Sequence, residues 1–126
     1  MYKVVLELED IELQGEIFDS PAGQAVLEHC PLQLEMQRWG EEYYGRLPED
    51  LGLLEGEKTE ILDIGDLAFW EPANAVCVFF GPTPASESQE PRAASEVHRI
   101  GHIQGDWQAV KALGTHIQAK LRLQSA

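Results

Sequence analysis

Ile11-Glu12-Leu13-Gln14-Gly15-Glu16-Ile17 decides the fold class. Every second position is apolar or glycine and the residues between are polar. That period belongs to a strand with one buried and one wet face. Working outward, Tyr2 to Leu8 reads as a preceding strand, and Glu9-Asp10 breaks the run, so the chain opens on an antiparallel hairpin. The rhythm returns where Leu32, Leu34 and Met36 alternate with Gln33, Glu35 and Gln37. It returns again where Ile117, Ala119, Leu121 and Leu123 alternate with His116, Gln118, Lys120 and Arg122. The segment Trp39 to Gly45 bends at Gly40 and resumes as a strand, and Val97 to Ile103 supplies another. Gly65 to Trp70 and Ala75 to Phe80 are apolar almost throughout and predict central strands, joined by a turn at Glu71-Pro72-Ala73-Asn74.

Two short helices interrupt the strands. Ser20 before Pro21 suits an N-cap with a first-turn proline, and Ala22, Ala25, Val26 and Leu27 follow at helical spacing until Cys30-Pro31. Asp106 caps the second helix, which runs through Trp107, Val110 and Leu113 to Gly114. Residues 47–58 read as a polar loop or edge. Residues 81–95, rich in Pro, Ser and Glu, read as a long surface loop, a kind that is either functional or disordered. About eight strands and two helices, with no linker or repeat, make residues 1–126 a single domain. Many short antiparallel strands favour a mostly-β, closed eight-stranded barrel, because closure removes exposed edges.

Charge narrows the partners. Nine basic residues face 22 acidic ones, a formal net charge of −13. Residues 1–60 carry 15 acids and 4 bases (net −11), and residues 61–126 carry 7 and 5 (net −2). Such a field repels phosphate backbones and anionic lipid, so neither nucleic acid nor a membrane is an expected partner. No apolar run approaches the ~20 residues that span a bilayer. The N-terminus turns acidic before a signal-peptide core develops, and Cys30 and Cys77 lack metal or redox spacing. Two reduced, buried thiols and a cytoplasmic location are the resulting expectation.

The order of these pieces resembles the cyclophilin fold. Gly15-Glu16-Ile17-Phe18 leads to a helix entered at Pro21, and Ile100-Gly101-His102-Ile103-Gln104-Gly105 is similar to the family's Phe-Gly-x-Val-x-x-Gly run, one residue shorter. Gly65 to Trp70 is similar to the Gly-x-Leu-Ser-Met-Ala strand, and Val78-Phe79-Phe80 to Ser-Gln-Phe-Phe. Trp39-Gly40-Glu41-Glu42, Gly65-Asp66, Phe79-Phe80-Gly81 and Thr83-Pro84-x-Ser86 together resemble the small bacterial and archaeal cyclophilin-like proteins, a family without an established function.

Cyclophilins isomerise prolyl peptide bonds, whose rotational barrier is about 18–20 kcal/mol. The resemblance implies an arginine near the prolyl nitrogen and an apolar pocket for the ring. Arg38 stands at the arginine position, Tyr43 at the following aromatic, and Phe80 at the pocket phenylalanine. Tyr44 and Arg46 replace the family's Met and Gln, and Val97 replaces its pocket histidine. Trp39 or Trp70 would substitute for the pocket tryptophan. These departures favour a binding module that takes a proline-containing peptide or small ligand in a surface groove. A weak isomerase using Arg38 is the alternative, and a protein-interaction module acting through an edge or the 81–95 loop is a third.

Other constellations carry less. His98 and His102, four apart on one strand, would share a face ~13 Å apart, too wide for one metal, and read as solvated. Glu41 and Glu42 point to opposite faces of an extended chain, which disfavours an acid/base pair. Phe69, Trp70, Phe79 and Phe80 read mostly as core. No phosphate loop, metal site or cofactor motif stands out. A barrel this small is filled by its own side chains, so a ligand would sit outside it or at its mouth.

Overall fold

Strand pairing turns the alternating segments into a closed wall. The computed structural model describes residues 1–124; residues 125 and 126, the end of the expected domain, lie outside the described residues. The order is β1 (Tyr2–Leu8), β2 (Ile11–Ile17), α1 (Pro21–Leu27), β3 (Leu32–Arg38), β4 (Glu42–Arg46), β5 (Thr59–Ile61), β6 (Asp66–Trp70), β7 (Ala75–Phe79), β8 (Arg92–Gln104), α2 (Trp107–Lys111) and β9 (His116–Leu123). Neighbours in the sheet run β2-β1-β9-β3-β4-β7-β6-β8, and β8 pairs back onto β2. Eight antiparallel strands therefore close a barrel, as the alternation predicts.

The closing seam depends on glycine. β2 and β8 pair from Gln14↔Gln104 to Ile17↔Gly101. A Cβ on Gly15 would lie 2.2 Å from the His102 carbonyl oxygen, and one on Gly101 would lie 2.2 Å from the Glu16 carbonyl oxygen. Both positions face backbone, which has no soft side chain to move aside. Beside the seam, Gly65 has φ +97°, and a Cβ there would sit 2.3 Å from the Ile103 carbonyl oxygen. Its N–H donates to Phe79 and its carbonyl accepts from Ile103, so this glycine ties β7 to β8.

Inward positions fill the barrel. Leu6, Leu8, Ile17, Leu34, Met36, Tyr43, Leu67, Phe69, Ile100 and Ile103 are all fully buried. Ser20 caps α1 by accepting from the Gly23 N–H, and α1 adds Ala22 and Val26 to the same core. Asp106 caps α2, which adds Val110. A second apolar cluster lies on the opposite face of β6 and β7, where Ala68, Cys77 and Phe79 meet Leu62, Ala93 and Val97. This cluster explains why those two strands lack a polar face.

Three details depart from the sequence expectation. β5 is a ninth strand, pairing Thr59 with Val97 and Ile61 with Arg92. Three residues are too few for alternation to register. β8 begins at Arg92, which shortens the surface loop to residues 81–91 and gives that loop order. Thr83 and Ser86 bond to each other's backbone, and Glu90 accepts from the Glu87 and Ser88 N–H groups. Cys77 is buried as expected, but Cys30 is half-buried at the end of α1.

Substituting Gly15 or Gly101 by Ala is expected to force the seam apart. The cost should be about 3 kcal/mol, or on the order of 10 °C in thermal midpoint. Gly114→Ala, where a Cβ meets nothing within 4 Å, should stay within about 2 °C. Far-UV circular dichroism melts of the three variants check this.

Candidate functional site

The outer face of the wall carries the most distinctive chemistry. Pairing of β4 with β7 sets Glu42 opposite Phe79 and Tyr44 opposite Cys77. Pairing of β6 with β7 sets Ala68 opposite Cys77 and Trp70 opposite Ala75. The N-terminal half of β8, with β5, covers Ala68 and Phe79. Between its Ala93–Val97 stretch and the rings of Trp70 and Tyr44 a cleft of about 210 Å³ remains. Trp39, Tyr44 and Trp70 wall it, Glu42 and Cys77 lie beneath, and Ala93 and Val97 form the β8 side.

Hydrogen bonds at their polar tips hold the aromatic walls. Trp70 Nε1–H donates to Ser95 Oγ at 2.7 Å and the Tyr44 hydroxyl donates to Gln37 Oε1 at 3.1 Å. The two rings meet edge to face with centroids 6.5 Å apart. Glu42 is 5% exposed. Burial pushes its carboxyl up to about 8, against a hydrogen bond from the Cys77 thiol that works the other way. Burial likewise raises the Cys77 thiol well above its ordinary range, so it is not a ready nucleophile.

A wider groove of about 750 Å³ shares Tyr44 with the cleft and runs past Gln33, Arg46, His116 and Gln118. It lies where the β3–β4 ladder, paired only at Gln37↔Tyr44 and Arg38↔Tyr43, ends.

Arg38, Tyr43 and Phe80 do come together, on the other side of the wall. The Arg38 guanidinium carbon lies 5.7 Å from the Tyr43 ring centroid and 5.2 Å from that of Phe80. Tyr43 and Phe80 stack at 5.4 Å, and Phe80 continues onto Trp107 at 6.2 Å. Arg38 Nε–H donates to the Gly40 carbonyl at 2.8 Å, and Nη1 donates to those of Lys111 and Leu113 at 2.9 and 3.0 Å. The Tyr43 hydroxyl donates to Gly114 at 2.6 Å. Both rings are fully buried, so this trio fastens α2 to the barrel. Trp39 and Trp70, by contrast, meet at the open cleft.

Comparison with known proteins agrees with this fold. The family described as Cyclophilin-like matches residues 2–122. The chain belongs to the cyclophilin-like family. A solution structure of the hypothetical protein AF2241 from Archaeoglobus fulgidus superposes on this cyclophilin-like barrel with a TM-score of 0.79. It is 27% identical, and the alignment covers 96% of this chain and 93% of that one. Among curated proteins none matches the sequence.

The histidines of the cyclophilin-like chain do not share a face. Opposite β6, Arg99 pairs with Ala68 and Gly101 with Leu67, so Ile100 is an extra residue. This bulge reverses the parity of β8. His98 is therefore buried, stacked on Phe69 with centroids 6.5 Å apart and 3.2 Å from Glu71. His102 turns outward, where its Nδ1 lies 2.9 Å from the fully buried Asp66. Asp66 is also ion-paired with Arg99 Nε at 2.9 Å and accepts from the Asp63 N–H at 2.8 Å. Neither histidine is simply solvated. Among the described residues no group of three or more His, Cys, Asp or Glu side chains is placed to hold a metal. No helix there is long and apolar enough to cross a membrane.

Glu71 fastens the long 47–58 segment to the barrel. Its carboxyl receives Lys58 Nζ at 2.6 Å and the Leu54 N–H at 2.6 Å. These contacts, the lysine's first, hold it down to about 2.

Glu42 and Cys77 escaped the sequence reading as site residues. The available signal was indirect. Ala75 to Phe80 lacks a polar face, so its outer side must be covered, and Glu42 is the acid that the neighbouring strand turns toward that side.

Two outcomes are expected. Arg38→Ala leaves three backbone carbonyls without their donor and should cost about 3 kcal/mol, read as a lower urea midpoint. Glu42 has an ordinary value of 4.5 and a folded value of about 8. The folded state therefore holds the extra proton, and this group's contribution to stability is full below pH 4.5 and is lost as pH rises toward 8. Unfolding free energies from urea melts across that window should fall by about 5 kcal/mol for the native chain and stay nearly level for Glu42→Gln.

Proposed function

We propose that this cyclophilin-like barrel is a binding module that takes a peptide or small ligand on its outer surface. The extended part of the ligand lies in the β3/β4/β9 groove, and one compact apolar group enters the Trp39–Tyr44–Trp70 cleft. The observation that carries the reading is Tyr44, which walls both the groove and the cleft. A cavity of roughly 150 Å³ accepts a ligand the size of benzene. The cleft at about 210 Å³ therefore suits a single ring, proline included. Rigid aromatics supply contact area at small entropic cost.

Catalysis of prolyl isomerisation draws less support. Arg38 Nε and Nη1 are engaged with the carbonyls of Gly40, Lys111 and Leu113, and the buried Tyr43 and Phe80 leave no seat for a ring beside them.

Titration of a short Ala-Pro peptide, followed by NMR, tests the proposal. The indole N–H signals of Trp39 and Trp70 should shift saturably, and Trp70→Ala should weaken binding by about tenfold. Shifts confined to residues remote from the cleft would reject it. Accelerated cis/trans exchange of the peptide that vanishes in Arg38→Ala would restore the isomerase reading.

A further inference from the structure

A carboxyl group beneath an apolar aromatic cleft is costly unless something compensates it. Glu42 forms no ion pair among the described residues; the group that hydrogen-bonds to it is the Cys77 thiol. Its side chain is more than nine-tenths buried and yet lines the open cleft. Elsewhere, buried acids of this barrel are compensated. Asp66 has Arg99 and a backbone N–H, and Glu71 has Lys58 and another. Glu42 is the exception, and it lies beneath an aromatic-walled cleft.

The rest of the lining says what would compensate it. β4 contributes Glu42 and Tyr44, β7 contributes Cys77, and these are the titratable groups of the cleft. β6 contributes Trp70, the β3–β4 turn contributes Trp39, and β8 contributes Ala93, Ala94 and Val97, none of them ionisable in this range. The Trp70 N–H and Tyr44 O–H are already spent on Ser95 and Gln37. A ligand rich in acceptors would therefore find few donors, whereas a cation needs none. Aromatic faces attract cations through the ring quadrupole, most strongly where water is excluded. A formal net charge of −13 draws cations and repels anions over longer distances.

Resting on the cleft reading above, we infer that the compact group the cleft takes carries a positive charge: an alkylated or secondary ammonium, seated among Trp39, Tyr44 and Trp70 with the Glu42 carboxylate as counter-ion. A simple metal cation is disfavoured, because the cleft offers one carboxyl and aromatic walls in place of several oxygen ligands. An ammonium wrapped in methyl or methylene groups matches both features, since its surface is apolar and its charge is diffuse. Binding would replace the proton on Glu42 with the ligand's charge.

The experiment compares choline with the uncharged alcohol in which carbon replaces its nitrogen, which holds shape constant and changes charge. Both are titrated into the full chain while the Trp39 and Trp70 indole signals are followed by NMR, at about pH 6 and about pH 9. The expected result is that choline binds at least about tenfold more tightly than the alcohol at the higher pH. Its affinity should also rise from the lower pH to the higher, with a proton released on binding. Glu42→Gln should abolish that preference, and the pH arm on the native chain stands even where this variant does not fold. Equal affinity for the two probes overturns the inference. Choline affinity that falls as pH rises also overturns it, because Glu42 would then be acting as a neutral hydrogen-bond donor. Absence of any choline effect on the indoles overturns it too. The Ala-Pro titration on the same sample then tells whether the cleft binds at all, so the two readings fail separately.

Discussion

Everything in this structure depends on two strands approaching closely enough to close a ring. β2 and β8 meet where Gly15 and Gly101 each press against a partner carbonyl, and any side chain there would hold the strands apart. Without that seam the sheet would be an open ribbon with long unpaired edges, a template for aggregation. With it, the interior is just wide enough for its own side chains. The core is solid, and binding chemistry is displaced to the outside.

The outside acquires its cleft from a mismatch of lengths. β8 spans Arg92–Gln104, while its neighbour β6 spans Asp66–Trp70. The surplus of β8, braced by β5, covers part of the outer wall and touches the aromatic rim through Ser95, which accepts from the Trp70 indole. Where cover is complete, Ala68 and Phe79 are sealed in a second core. Where a gap remains between β8 and these rings, Trp70 and Tyr44 have one side open and Glu42 lies beneath them. One strand's extra turns of pleat thus supply both a stabilising cluster and the edge of a cavity.

Much of the fold was legible because alternation is a direct consequence of strand geometry. The runs Ile11–Ile17 and His116–Leu121 displayed their buried faces, Leu123 lying exposed at the end of β9, and Ser20 and Asp106 marked the helices that they do cap. What escaped was what a period of two cannot encode. The short β5 offers too few residues to alternate. The extra Ile100 reverses parity within β8 and sends His98 inward and His102 outward. The candidate site divided along the same line. Resemblance brought Arg38, Tyr43 and Phe80 together, as they are in space, but which side of the wall they occupy follows from packing onto α2. Trp39 and Trp70 are far apart in the chain, and their meeting at one cleft depends on sheet order, which a linear pattern does not carry.

The length of β8 also bears on how the molecule assembles. Its C-terminal half joins residues 14–17 to residues 101–104, a pairing whose loop-closure entropy must be met before any contact rewards it. Pairings so distant in sequence form late, after the local hairpins. The wall of the cleft belongs to the same strand, so the cavity takes shape only once this long-range pairing is in place. A molecule that fits it recognises the finished barrel over its precursors, and by mass action shifts the balance toward the folded chain.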